Sequence, residues 1–545
     1  MTHVDLALIG ALVAFVLAWW LRPLPGRLAI LWTLAALVVL LGLYGLIDDR
    51  WQNGVGAAVG LVFLLVLGIN RLRRAPRREG WPYVSGPLFG ILAAVAAASI
   101  VLFPVDPLPK PSGRHPVGVR SFELVDAARP GLISARPEEL RRLLVRVWYP
   151  AGSVAGLKPR RYFSEAEADT TARTLGELVG FGPFFTYVKH VRTNSYEAAP
   201  LLAGATGLPV VFYSHGYTSF LSQNTALMEE LASHGYVVVS VQHTYDSSST
   251  VFPNGDVAPA DPKLADMAQE TDGPVARAQN QAIGGATLDE RLEGYLALRE
   301  MALSGQNDRL ARSGEIWAAD RIFVHDQLQR GAAPPAIREI MAAADLTRVG
   351  EMGMSFGGAT AGTVCMSDRR CAAGVNLDGG DFPFAAFAAD VPAPFLMFHS
   401  DVANISKRVG AAPPAQPRSF NEFSYEPFAT AGRRADVYRV QLKGSQHLGL
   451  SDFSLFVRRP VRDPLFGSAP ATVMVGAQND FVRAFFDRHL RGANNRFPQP
   501  QMARYERWVT PLRVDAVRNW WAAKPAEEQA GILARIEKAR AAPAP

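Results

Sequence analysis

The chain has 545 residues, 49% apolar and 19% charged, with a net charge of +6. That length exceeds one ordinary domain, and so lean a charge content points away from a wholly soluble chain. The soluble part carries no basic stripe with interleaved aromatics, which excludes a nucleic-acid partner; the arginines crowded between residues 71 and 78 suit anionic lipid headgroups instead.

Four apolar runs come first: Leu6–Leu21, Leu28–Ile47, Val55–Ile69 and Leu88–Val105. A membrane-crossing helix needs roughly 20 apolar residues, so the second run suffices while the first and third must borrow flanking residues. "MTHVD" lacks the positive start of a cleaved signal peptide. Trp19, Trp20, Trp51 and Trp81 fall at run ends, where interfacial indoles are expected. Arg22 and Arg27 mark the first loop, and Arg71, Arg73, Arg74, Arg77 and Arg78 the third. The second loop has Arg50 beside Asp48 and Asp49. The positive-inside rule then places loops one and three in the cytoplasm. Both termini and the C-terminal domain fall outside, on a multi-pass cell-membrane protein.

Residues 104–118, "PVDPLPKPSGRHPVG", read as a proline-rich linker. Beyond it, "RRLLVRVWYPAG" alternates like a strand. "LPVVFYSHGYTS" is a buried strand running into a glycine turn, and "ALMEELASHGYVVVSVQHTYDSS" is a helix and a second buried strand. Residues 253–315 are polar and loosely helical, and "WAADRIFVHDQLQRG" resumes a helix. Strands apolar throughout, alternating with helices, imply a parallel sheet covered on both faces. The expected organisation is a four-helix transmembrane region (1–105), a linker (106–118), an α/β domain (119–499) with the 253–315 stretch as insertion or cap, and a helical extension and tail (500–545).

Residues 348–360, "RVGEMGMSFGGAT", contain G-x-S-x-G centred on Ser355. With a strand before and a helix after, the glycines permit a sharp turn that lifts the seryl oxygen toward substrate. A serine needs an adjacent base, and in such a fold an acid and then a histidine follow. Three histidines lie downstream. His489 sits mid-helix in "FFDRHLRG", and His399 ends the apolar strand "FLMFHSD". His447 hangs after a strand and glycine turn in "LKGSQHLGLSDF", as a catalytic base should. For the acid, "LDGG" favours Asp378 at a strand end, with Asp401 and Asp381 as alternatives. The oxyanion donors expected are the main-chain N–H groups of Phe356 and Tyr217, with His215 fixing the turn that carries Tyr217.

Cys365 and Cys371 either bridge a helix end to the next strand or stay as two buried thiols. No CxxC pair or His/Cys cluster suggests a metal site, and no cofactor is implied. Two aromatic clusters, Phe181, Phe184 and Phe185 and then Phe382, Phe384 and Phe387, suit an acyl pocket, a membrane-facing patch or plain core packing.

The segments "PVVFYSHGYTSF…LASHGYVVVSVQH", "GEMGMSFGGAT", "CAAGVNLDGG" and "LKGSQHLGLSDF", with "VRVWYP" and "WAADRIFVHDQL", resemble the plasma-type and intracellular type II platelet-activating factor acetylhydrolases over roughly residues 118–495. That family has the α/β-hydrolase fold. The resemblance implies a Ser355–Asp378–His447 triad, deciding the acid, with Tyr217 and Phe356 as oxyanion hole. It further implies calcium-independent release of short or oxidised acyl groups from phospholipids. The expected partners are an ester or phospholipid substrate and the membrane. The N-terminal helices, the polar insertion and the C-terminal extension depart from the animal enzymes. They leave a general carboxylesterase or polyester hydrolase as the alternative, and a non-catalytic membrane sensor or scaffold as a remoter one.

Overall fold

The computed structural model describes residues 1–21, 24–72, 81–131, 138–264, 273–305, 308–381, 384–408, 410, 412–414 and 416–541. Arg22, Arg73, Arg74, Arg77, Arg78 and Phe382 lie outside these residues, as do the side chain of Trp81 and part of the 253–315 stretch. The chain forms two units. One comprises Met1–Pro107, Arg161–Arg192 and Leu455–Arg462; the other comprises Leu108–Arg160, Thr193–Ser454 and Asp463–Pro545.

In the first unit the four apolar runs are helices α1 (His3–Trp20), α2 (Arg27–Ile47), α3 (Trp51–Leu72) and α4 (Trp81–Leu102). All four are long and apolar enough to cross a membrane. The two short runs do take in flanking residues: α1 reaches 18 residues and α3 reaches 22. At 1.5 Å per residue even α1 is about 27 Å long, close to the hydrocarbon thickness. Thr2 and Asp5 close a capping box at the start of α1. Glycines let α2 and α3 touch, since a Cβ on Gly42 or Gly45 would run into Asn53. Trp19 differs from expectation. It is buried in the bundle, edge-on to Phe89, with its N–H on Ser85 Oγ, whereas Trp20 is exposed.

Arg50 is not a free loop charge either. It and Asp5 are both buried and bridged at 3.2 Å, and its guanidinium also donates to the Phe103 carbonyl. Segment 161–192 joins this unit through charge and aromatic contacts. Lys189 Nζ donates to Asp49 and Glu165, the Phe184 ring meets Trp51 at 4.9 Å, and Tyr187 donates to the Phe456 carbonyl.

The second unit is built on an eleven-stranded sheet. Its strands in chain order are β1 (Val117–Pro130), β2 (Leu140–Pro150), β3 (Pro159–Arg161), β4 (Arg192–Glu197), β5 (Leu208–Ser214) and β6 (Val237–Gln242). After the small hairpin β7 (Thr250–Val251) and β8 (Val257–Ala258) come β9 (Ala344–Met354), β10 (Cys371–Leu377), β11 (Phe395–His399), β12 (Val437–Leu442) and β13 (Val509–Pro511). The spatial order is β13-β12-β11-β10-β9-β5-β6-β2-β1-β4-β3. The six strands from β6 to β12 run parallel, and β2 and β13 flank them antiparallel. The central strands are buried along nearly their whole length because helices cover both faces.

The helix expected to resume at Trp317 already begins at Asp308 and runs to Gln329. The 500–545 stretch supplies β13, and its helices Asp515–Ala522 and Ala526–Ala541 are tied to the insertion. Val517, Trp521 and Ile536 share a core with Leu292 and Leu296. Arg535 pairs with Glu293, and Lys524 pairs with Asp289.

The linker is pinned rather than free. The Asn194 amide donates to the Pro109 carbonyl, and Ser112 N–H donates to Glu230. Glu229 anchors Asn194 in turn, accepting from its main-chain and side-chain N–H at 2.7 and 2.9 Å. Burial pushes the Glu229 carboxyl up to about 7 against the pull of its donors. A carboxyl whose folded pKa is raised contributes stability that is complete below its unfolded pKa and is lost as pH rises through the folded one. The melting temperature should therefore fall between pH 5 and 8, by the equivalent of about 2 kcal/mol, and Glu229→Gln should flatten that slope. Thermal unfolding followed by circular dichroism checks this, and equal slopes in both proteins would refute it.

Candidate active site

Strand β9 ends at Met354, and helix Phe356–Ser367 starts one residue later, leaving Ser355 to make the whole turn. Its backbone takes φ 55° and ψ −122°, a conformation costly for a non-glycine residue. Two glycines make the bend possible. A Cβ on Gly357 would collide with the carbonyls of Ser214 and His215, and one on Gly353 would collide with Gly357 itself.

Ser355 Oγ lies 2.8 Å from His447 Nε2, and His447 Nδ1 lies 2.6 Å from Asp378 Oδ2. Asp378 follows β10 with a left-handed φ of 63°. It also accepts from the Ser400 N–H at 2.7 Å and the Ser400 hydroxyl at 2.6 Å. Burial opposes its charge, but the His447 hydrogen bond, the neighbouring imidazoles and Ser400 outweigh it and keep the carboxyl below its ordinary pKa. Asp378 is thus held ionised, able to fix the imidazole with its proton on Nδ1.

The other acids and histidines are engaged elsewhere. Asp381 accepts from Tyr425 and Asn421, and Asp401 accepts from Gly444 N–H beside the helix Val402–Arg408. His489 sits against Tyr438. His399 is buried against the Ser419 hydroxyl, with Nδ1 3.9 Å from Asp378 Oδ1. Ser400 was not singled out by sequence reasoning. Its signal was positional: it follows β11, whose Phe398 pairs with Leu377, the residue before Asp378.

The turn after β5 lies against the elbow, since a Cβ on Gly216 would sit 3.3 Å from the Ser355 Cβ. Tyr217 is next on that turn. Its hydroxyl receives Arg309 Nε at 2.9 Å and faces Asp246, while Thr218 N–H donates to the Asp246 carbonyl. Phe356 opens the helix, so its N–H is one of those a helix start leaves for other partners. The rings of Tyr217 and Phe356 lie 5.1 Å apart. Among the described residues no group of three or more His, Cys, Asp or Glu is placed to hold a metal. Cys365 and Cys371 form a disulfide between the end of the elbow helix and the start of β10. Phe384 and Phe387 belong to a buried core with Phe423 and Phe428, whereas Phe181 and Phe184 are exposed.

A mostly parallel sheet with a strand-serine-helix elbow at its centre defines an α/β-hydrolase fold. A sequence profile described as "Platelet-activating factor acetylhydrolase, isoform II" matches residues 102–272. A platelet-activating factor acetylhydrolase from Cavia porcellus is 24% identical over 312 residues, covering 55% of this chain and 61% of that relative. One from Canis lupus familiaris is 22% identical over 415 residues, covering 73% of this chain and 80% of the relative. Among solved structures, a ferulic acid esterase from Streptomyces cinnamoneus superposes with a TM-score of 0.50 at 24% identity, over 75% of this chain and all of the other. These findings bear out the resemblance to the acetylhydrolases and the fold it implied, and they make the chain similar to carboxylic ester hydrolases.

The elbow yields a structural prediction. Gly357→Ala forces a methyl group into the Ser214 carbonyl, which should cost about 1–3 kcal/mol. Calorimetry should show a lower melting temperature, and an unchanged one would refute so close an approach.

Proposed function

We propose that this chain is a membrane-anchored serine ester hydrolase that releases short or oxidised acyl groups from phospholipids. One observation carries the reading: the unbroken line of hydrogen bonds from Ser355 through His447 to Asp378. In the mechanism it supports, His447 Nε2 takes the Ser355 proton as the oxygen attacks the ester carbonyl. Asp378 holds the tautomer and balances the imidazolium. The main-chain N–H groups of Tyr217 and Phe356 receive the oxyanion. The histidine proton leaves with the alcohol, here the lysophospholipid. Water, deprotonated by the same histidine, then frees the carboxylic acid.

The anchor supports the choice of lipid, because tethering to a bilayer raises the effective concentration of a membrane-borne substrate. Exposed Phe181 and Phe184, the latter's ring against Trp51 at the start of α3, suit the headgroup boundary. The hydrolase unit lies outside the cytoplasm in this reading. The arginine asymmetry of the loops favours that side, as does a paired Cys365–Cys371. With Arg50 neutralised by Asp5, the second loop loses its one positive charge.

Detergent-solubilised protein should hydrolyse a short-sn-2-chain phosphatidylcholine, and Ser355→Ala should lower turnover by at least about 10³-fold. Serine-dependent turnover of a matched simple ester alone would leave the triad standing and reassign the substrate; turnover within a few-fold of the parent would sink the triad. Replacing both Phe181 and Phe184 with serine should slow hydrolysis of phospholipid in vesicles several-fold while sparing a water-soluble ester. Equal rates on both substrates would remove the two rings from the lipid contact.

A further inference from the structure

We infer that His215 is a positioning residue whose imidazole holds the Gly216–Tyr217 peptide so that the Tyr217 N–H is aimed at the oxyanion, an inference that rests on the hydrolase reading above. The Gly216–Tyr217 peptide sets the direction of that N–H. It is trans, so its C=O and its N–H lie in one plane and point in opposite directions. His215 Nδ1 lies 2.7 Å from the Gly216 carbonyl oxygen. Fixing the carbonyl on one side therefore fixes the direction of the Tyr217 N–H on the other.

The proton on His215 is determined by its neighbours. The main-chain N–H of His243 donates to His215 Nε2 at 3.2 Å. An amide N–H can only donate and a carbonyl can only accept. Nε2 must then be the bare nitrogen and Nδ1 the one that carries hydrogen, which only the neutral ring satisfies. Complete burial, with His243 alongside, lowers the pKa of His215 to about 3 despite the carbonyl bond, so the ring stays neutral at working pH.

His243 is itself gripped. Its Nδ1 lies 2.9 Å from Asp320 Oδ2 and its Nε2 lies 3.0 Å from Ser214 Oγ. Arg141 secures Asp320 at 2.6 Å. Trp317 stacks on His243 with ring centroids 4.0 Å apart and meets both His215 and Phe356 edge-on at 4.9 Å. Ser214, His243 and Asp320 make a second Ser–His–Asp chain, but all three are buried at 0–1% exposure, so no substrate reaches that serine. The chain acts as a post under the turn. Gln223 steadies the next peptide by accepting the Gly216 N–H at 2.8 Å, and Arg309 and Asp246 hold the Tyr217 hydroxyl separately. On the peptide that presents the Tyr217 N–H, the Gly216 carbonyl takes the shorter bond from His215 and a second, at 3.0 Å, from the Ser219 main-chain N–H.

The test compares wild type, His215→Ala, His215→Asn and Ser355→Ala on a nitrophenyl ester and against an alkyl trifluoromethyl ketone. In the ketone complex the seryl oxygen adds to the carbonyl carbon, the seryl proton passes to His447, and the resulting oxyanion occupies the hole. His215→Ala should lower kcat about 10²-fold with KM within a few-fold, and should weaken the ketone in proportion. His215→Asn, whose amide N–H can reach the same carbonyl, should recover kcat to within about tenfold of wild type. A merely structural role would instead raise KM, lower the melting temperature and give no advantage to asparagine. That pattern, or His215→Ala at wild-type kcat, overturns the role of His215 alone. Wild-type turnover no higher than that of Ser355→Ala overturns the hydrolase reading and this role together.

Discussion

Everything at the candidate site depends on how closely β5, β9 and β10 approach one another at their C-terminal ends. Ser214 pairs with Gly353, and Gly353 pairs with Asn376, so three neighbouring strands stop at nearly the same height. From that edge project the turn bearing Gly216 and Tyr217, the elbow at Ser355 and the carboxylate of Asp378, the last two joined through His447. Parallel sheets gather their chemistry at such an edge because each strand must leave it by a loop. Room exists only because Gly353 and Gly357 lack side chains. Ser355 N–H donates to the Leu377 carbonyl at 2.7 Å, so the elbow is tied to the strand that ends beside Asp378. A backbone conformation disfavoured in isolation is sustained by neighbours that fix it from both sides.

Beneath that edge lies an unusual amount of buried charge. Arg141 with Asp320, Arg321 with Glu351, and Arg439 with Glu426 are all nearly or wholly withdrawn from water. Such pairs add little to stability, because desolvating both ions consumes most of what their attraction returns. Removing one partner is another matter, costing about 3–5 kcal/mol for the charge left behind. Their value lies in direction. Each presents a rigid set of donors and acceptors to a turn or a ring, and Asp320 does so for His243.

Much of this was legible in the sequence because it is local. Strand, G-x-S-x-G and helix stand together around Ser355, and the order of Asp378 and His447 along the chain follows the order of the parallel strands. What was not legible depends on residues far apart in the chain. Asp49 meets Lys189 across 140 positions, and His243 meets Asp320 across 77. No periodicity or motif records such a pair. For the same reason segment 161–192 read as part of a continuous soluble domain, whereas it packs with the four apolar helices. Trp19 misled for a simpler reason: position at a run end suggests an interface, but the indole found Ser85 and Phe89 inside the bundle. The two phenylalanine clusters look alike in composition, and only tertiary partners separate the buried Phe384 and Phe387 from the exposed Phe181 and Phe184.

The insertion before the elbow shows how one scaffold can keep its chemistry while its surroundings vary. Its helix Leu288–Leu303 is held by the C-terminal helices through Trp521, Ile536 and the Arg535–Glu293 pair, so those late residues serve as its second wall. The insertion touches the site through Arg309, which bridges Asp246 and Asp261 and donates to the Tyr217 hydroxyl. That contact falls on a side chain. The Tyr217 N–H belongs to the Gly216–Tyr217 peptide, whose carbonyl is held by His215 and the Ser219 N–H, while Gln223 holds the peptide before it. A loop rebuilt for another acyl chain would change what surrounds the Tyr217 ring while leaving the bonds on the Gly216–Tyr217 peptide in place. Separating the two supports, one on the side chain and one on the backbone, would let the surroundings vary while the proposed donor keeps its place.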